Sequence, residues 1–302
     1  MSENPHETRT EPKTAVVLMA YGSPSRPEDV AAYLADIRGG RPISREAVEE
    51  LAERYRRIGG TSPLNELTER QRAALERELR MPVYVGMKHW TPRIADAAER
   101  ALAGGAERVI GLVLAPHFSG LSIGGYHDRL ADSLRGRAEL VFITSYHAYE
   151  PLIDVLAGRV ADTDAHVVFT AHSLPARILA EGDPYQEQLL ETSRLVADKA
   201  DVEDWSFAFQ SRSDTGEPWL GPDILDELER LSGEGVRKVL VAPIGFVADH
   251  LEILWDIEVE AREQAAALGL ELDRTRSLND DPDFIRVLAR LVAERVPARA
   301  TA

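Results

Sequence analysis

Apolar residues along the chain fall into two kinds of stretch. One kind is short and nearly unbroken: TAVVLMA (14–20), MPVYVGM (81–87), RVIGLVLA (108–115) and LVFITSY (140–146), then HVVFTAH (166–172), WSFAFQS (205–211), RKVLVAPI (237–244) and LELDRT (270–275). The other kind spaces its apolar positions three and four apart, as in 46–58, 66–80, 92–105, 186–199, 222–233, 253–267 and 282–295. Continuous apolar runs of this length predict strands buried on both faces, and the intervening period predicts the helices that cover them. Their alternation predicts an α/β fold with parallel sheets.

The two halves of the pattern echo each other. VVLMAYGSP at 16–24 parallels VVFTAHSLP at 167–175, with Ala, then Tyr or His, then Pro at equal spacing, and VLAPHF at 113–118 parallels VAPIGF at 241–246. The expected architecture is two similar Rossmann-like domains, 14–149 and 150–298, each a doubly wound parallel sheet, facing one another across a cleft. A polar leader, 1–13, precedes them, and the last helix is expected to pack back on the first domain. Ligands of open parallel sheets sit beyond the carboxyl ends of the strands. Tyr21, His117, His172 and the run beginning at Asp249 all fall at such ends.

Composition narrows the chemistry. The 302 residues hold no cysteine, which excludes disulfides, thiolate metal sites, cysteine nucleophiles and cysteine-held iron–sulfur clusters. A net charge of −16 opposes nucleic acid as a partner and suits cations. No apolar run nears the roughly 20 residues that span a bilayer, and the first residues lack a signal peptide's apolar region. A cytoplasmic protein without integral membrane contact is expected. Phosphate-loop, G-x-S-x-G and H-E-x-x-H motifs are missing, which leaves nucleotide, serine-hydrolase and zincin chemistry unsupported.

What remains is a set of His, Tyr, Arg and carboxylate residues at one predicted edge. In FVADHLEILWDIEVE, Asp249 and Glu252 fit the D-x-x-E capping box, with Asp249 as N-cap. Glu252, Asp256 and Glu260 follow at four-residue spacing and stack on one helix face, where like charges repel. No Lys or Arg is interleaved before Arg262. A capped, solvated helix and a row of metal ligands both fit. His172 ends a strand before Ser-Leu-Pro and suits either a structural hydrogen bond or pairing with a carboxylate on a divalent metal. His117 and His250 have weaker claims. Tyr21 precedes the turn at Gly22 and either packs its ring or faces a ligand. Arg38, Arg41, Arg54, Arg56 and Arg57 lie beside glycines and Ser62, either to hold an anion or to pair with neighbouring Glu.

Together MAYGSP, RYRRIGGTSPL, LAPHFS, TAHSLP, GDPY, PWLGPD and GFVADHLEILWD, in this order, resemble the ferrochelatases, and most of all the coproporphyrin III ferrochelatases of Gram-positive bacteria. The resemblance covers nearly the whole chain. It implies a chelatase-like fold with a porphyrin cleft and insertion of Fe(II) into coproporphyrin III, giving coprohaem in haem biosynthesis. It implies His172 and Glu252 as the pair that receives the metal and catalyses insertion, and Asp256 and Glu260 as an acidic path to them. Tyr21 would be the axial ligand to the product iron on the opposite side of the ring. Arg38, Arg54, Tyr55, Ser62 and Tyr126 would hold the porphyrin, with His250, Lys88 and His89 close by. Iron is then a substrate, no permanent cofactor is implied, and without cysteine the [2Fe–2S] cluster of some relatives cannot form. The C-terminal extension of some relatives is also missing, so a monomer is expected, with a downstream haem-pathway enzyme as a possible recipient of the product. The alternatives are a protoporphyrin IX ferrochelatase, a chelatase for another metal and tetrapyrrole, a porphyrin or haem carrier without turnover, and a periplasmic metal-binding protein, which the missing signal peptide disfavours.

Overall fold

The computed structural model describes residues 12–213 and 216–296; most of the expected leader, 1–11, lies outside them. Eight strands form where continuous apolar runs were read: β1 (Thr14–Ala20), β2 (Val83–Met87), β3 (Arg108–Val113), β4 (Glu139–Ile143), β5 (His166–His172), β6 (Trp205–Gln210), β7 (Lys238–Ala242) and β8 (Glu271–Arg274). They make two four-stranded sheets, ordered β2-β1-β3-β4 and β6-β5-β7-β8. Every pairing is parallel. The second order repeats the first strand for strand, and the echoing motifs follow equivalent strands: AYGSP follows β1 and AHSLP follows β5.

Among the described residues ten α-helices connect and cover the strands: α1 (Val30–Ile37), α2 (Arg45–Arg57), α3 (Leu64–Leu79), α4 (Ile94–Ala103), α5 (Gly125–Leu134), α6 (Glu150–Val160), α7 (Tyr185–Lys199), α8 (Ile224–Gly233), α9 (Arg262–Leu268) and α10 (Pro282–Ala293). Of these, α1, α5 and α6 are additions to the helices read from periodicity. The stretch Ile253–Ala261, read as the start of an ordinary helix, is wound as a π-helix that continues into α9. Such wider turns are rare and concentrate at functional sites.

Successive side chains of a strand point to opposite faces, and the core divides accordingly. Val16 and Leu18 of β1 join one apolar cluster, and Val17 and Met19 join another. The first cluster is shared between the sheets: Ile110 and Leu112 belong to it with Val167 and Phe169, together with α10 residues such as Phe284 and Leu288. The amphipathic pattern of α10 buries seven of its residues, and the helix lies against α3 and α6. Each fully buried Leu, Phe or Val contributes about 1.5–3 kcal/mol over an exposed one, so this shared layer fixes how the two strand-end edges face each other.

Candidate active site

Two glycines bring the strand ends to their neighbours. Gly22 has φ +90°, and a Cβ there would lie 1.8 Å from the His89 carbonyl oxygen. Only glycine lets the chain leave β1 so close to His89, and this sets the Tyr21 ring 4.8 Å from the His89 imidazole. In the other sheet a Cβ on Gly245 would lie 2.4 Å from Ala171 Cβ. The loop after β7 therefore passes tightly against the end of β5, next to His172, before the chain turns into the helix that carries Glu252.

His172 and Glu252 meet there, with Nε2 3.6 Å from Oε1. His250 approaches the same carboxylate, Nε2 3.3 Å from Oε2. Both rings use Nδ1 on a backbone carbonyl, His172 on Ser173 and His250 on Ala248. A carbonyl only accepts, so each Nδ1 carries a proton and each ring turns Nε2 on Glu252, a nitrogen that is bare whenever the ring is neutral. Two lone pairs facing one carboxylate are satisfied only when a proton or a metal cation lies between them. Burial alone would lower the His172 pKa, but the charge and hydrogen bond of Glu252 outweigh it and raise it to about 9. Burial would raise Glu252, yet His172 and His250 hold it well below the usual carboxylate range.

Asp256 lies one turn further on and is 5% exposed. Its carboxylate accepts from the Ser211 hydroxyl and, at 3.4 Å, from Gln210 Nε2. Gln210 is the β6 residue in register with His172. Burial, then the charges of Glu252 and Glu260, push Asp256 up to about 7 despite Ser211. Glu260 is partly exposed at the outer end of the row. Among the described residues no group of three His, Asp or Glu side chains forms a ready metal cage.

The D-x-x-E reading is overturned. The Asp249 carboxylate takes Ser277 Oγ at 2.7 Å, Asn279 Nδ2 at 2.9 Å and Arg274 at 3.2 Å, not a helix N–H. The Asp249 N–H goes to Asn279 Oδ1 rather than to Glu252, and the His250 carbonyl accepts the first helical bond, from Leu254. The side chains that arrive from β8 and its following loop outcompete the local cap, and Glu252 is left free for the two histidines.

The opposite wall carries Tyr21, 41% exposed. Burial of its hydroxyl within the cleft and the charge of Glu252 push the phenol well above its ordinary range, so it stays protonated. The same carboxylate is thus close enough to act across the cleft. His89, behind Tyr21, receives the Asp36 carboxylate at 2.8 Å on Nδ1, and Arg93 grips the same carboxylate. Lys88 Nζ reaches the Ser122 carbonyl at 3.1 Å and sits 4.8 Å over the Tyr126 ring; burial and Arg129 lower its pKa to about 8.

Some expected porphyrin contacts stand behind the surface. Tyr55 is 2% exposed with its hydroxyl on Ser23 Oγ at 3.1 Å, and Tyr126 is 4% exposed under Lys88. Ser62 Oγ accepts from Leu64 N–H and opens α3. The arginine cluster divides. Arg54 pairs with Glu50 at 2.8 Å, Arg56 with Glu53 and Arg57 with Glu263 at 2.7 Å, as helix-surface ion pairs. Arg54 and Arg57 also lie 5.6 and 5.0 Å from the Trp255 ring centre, which ties α2 to the π-helix. Arg38 is exposed and makes no ion pair among the described residues. Buried His117 bonds Thr192 on α7. Asp36, Arg93, Ser211 and Gln210 carried no sequence signal, because nothing in their own segments marks what the folded chain brings to them.

Comparison with known proteins agrees with this geometry. The ferrochelatase family model matches residues 13–296. A ferrochelatase of Herpetosiphon aurantiacus is 44% identical over 299 residues, covering 93% of this chain and 98% of that one. A coproporphyrin III ferrochelatase of a Geobacillus species is 37% identical over 304 residues, covering 94% and 98%. Among solved structures, SirB from Bacillus subtilis with Fe3+ matches with a TM-score of 0.62 and 12% identity over 94% of this chain and 96% of that one, a likeness of fold. The chain belongs to the ferrochelatase family and is a metal-inserting enzyme.

Proposed function

We propose that the protein is a coproporphyrin III ferrochelatase of haem biosynthesis, acting as a cytoplasmic monomer built from domains 14–149 and 150–298. Iron(II) and the free porphyrin give Fe-coproporphyrin III and two protons. The observation that carries the reading is the approach of two imidazole Nε2 atoms, of His172 and His250, to the one Glu252 carboxylate. That arrangement exchanges a proton for a metal cation without enclosing it, which suits an ion that must leave again into the macrocycle.

In this reading Glu252 and His172 receive the ion and take the pyrrole protons. General acid–base groups of this kind contribute roughly 10²–10⁴-fold. Asp256, poised at about 7, hands protons on towards Glu260 and solvent, and the same row draws cations inward. Tyr21, a neutral phenol, meets the ring from its other side and contacts the product iron. Arg38, without an ion pair among the described residues, and Arg54, by exchanging Glu50, hold the propionates with Ser62, while Lys88 and His89 line the wall. Tyr55 and Tyr126 act from behind it. The preference for coproporphyrin III draws support from the 36–37% identity to enzymes of that name and from cationic side chains suited to a ring with four carboxylates.

His172→Ala and Glu252→Gln test the site. Each is expected to bind porphyrin within about threefold of the parent, read by fluorescence quenching, while metal insertion falls at least roughly 10²-fold. Parallel loss of binding and insertion would assign the pair a structural role instead.

A further inference from the structure

Lined by none of the residues assigned above to the metal or the porphyrin, a cleft of about 780 Å³ opens between α6, β7, the end of β8 with its following loop, and α10. Five arginines line it, Arg159, Arg274, Arg276, Arg286 and Arg290, against three aspartates. In a chain with 51 acidic and 35 basic residues, a local excess of cations runs against the average. Three of the arginines are engaged. Arg159 pairs with Asp281 at 2.5 Å, Arg286 with Asp283, and Arg274 with Asp249 and Glu258 at 3.2 and 2.7 Å. The third aspartate, Asp154, is taken by Lys199 on α7, which does not line the cleft. Arg276 and Arg290 are left exposed, with no ion pair among the described residues.

We propose that this cleft binds a small metabolite bearing two or more phosphate or carboxylate groups, with Arg276 and Arg290 as its principal contacts. Planar guanidinium forks match either oxyanion bidentately, where lysines would offer only point charges. The volume lies within the roughly 300–1,000 Å³ of small-molecule sites. Carboxylates of the protein already neutralise the other three arginines, so the charge left over calls for a compact di- or trianion.

The cleft is also connected to the metal-site helix. Arg274 forms part of its wall and holds both Asp249 and Glu258, the residues three before and six after Glu252.

Isothermal titration of the metal-free full chain with pyrophosphate and with citrate, each at low salt and at 0.15 M salt, tests the proposal. At least one probe is expected to bind one to one at 0.15 M salt, and the stronger of the two distinguishes a phosphate from a carboxylate site. The double variant Arg276→Gln, Arg290→Gln is expected to weaken that binding at least tenfold. Its melting temperature and basal metal insertion should match the parent, and Arg276→Lys, Arg290→Lys should recover only part of the affinity. Failure of both probes to bind, binding only at low salt, or equal binding by the glutamine variant would overturn the proposal.

Discussion

Asp256 shows most directly what burial does at a single residue. Its carboxyl, ordinarily near 3.8, is held protonated up to about 7 by desolvation and by the charge of Glu252. Below 3.8 the group is protonated in folded and unfolded chains alike and costs nothing. As pH rises towards 7 the unfolded chain loses this proton first. The folded state then binds more protons than the unfolded one, and stability falls with pH; above 7 the full cost remains, on the order of 4 kcal/mol. Asp256→Asn in the metal-free protein is therefore expected to gain about 1–3 kcal/mol over the parent at pH 8 and nothing at pH 4, read from denaturant midpoints. An equal gain at both pH values would contradict the assignment. Such a burdened residue points to a role that outweighs its cost, and proton relay next to Glu252 supplies one. The four-residue spacing of Glu252, Asp256 and Glu260 was legible in the sequence. That Asp256 is the buried member was not, because Ser211 and Gln210 reach it from β6.

At the scale of elements, strands were more legible than helices. A run such as VVLMA has no polar position to leave its face in doubt, and seven of the eight strands formed where such runs lie; β8 formed at LELDRT, where charged residues alternate with leucines. By contrast α1, α5 and α6 were not read as helices; α1 spans only eight residues and α6 carries Gly158 in its interior. The π-winding of 253–261 left no mark in the apolar pattern, and the D-x-x-E signal at its start proved misleading once Arg274, Ser277 and Asn279 claimed Asp249. Loop glycines were visible as turn signals, but their purpose lay in what they approach. Gly22→Ala places a Cβ against the His89 carbonyl at a positive φ. It is expected to destabilise the protein by more than about 1 kcal/mol and to impair insertion by displacing Tyr21 from His89. Chemical denaturation and an insertion assay check this, and an unchanged variant would show that the close approach is dispensable.

At the scale of the whole molecule, the repeated strand order places Tyr21 and His172 at the ends of equivalent central strands, β1 and β5. The internal echo made that equivalence readable. How the two sheets join was not readable, since an apolar face reveals burial but not its partner; the layer shared by Ile110, Phe169 and Phe284 supplies the answer. One duplicated design thus offers a phenol from one sheet and a histidine–carboxylate pair from the other, with a charge close enough to be felt between them. The net charge of −16 suits a protein that draws in metal cations, and the arginines and lysine near the cleft provide for an anionic ring. The most direct test of this account is anaerobic insertion of iron(II) by the purified protein, followed by absorbance, with coproporphyrin III and protoporphyrin IX offered separately. The account predicts rapid turnover of coproporphyrin III and little of protoporphyrin IX. Preference for protoporphyrin IX would contradict the proposed substrate, and tight porphyrin binding with no insertion of any divalent metal would contradict the site chemistry itself.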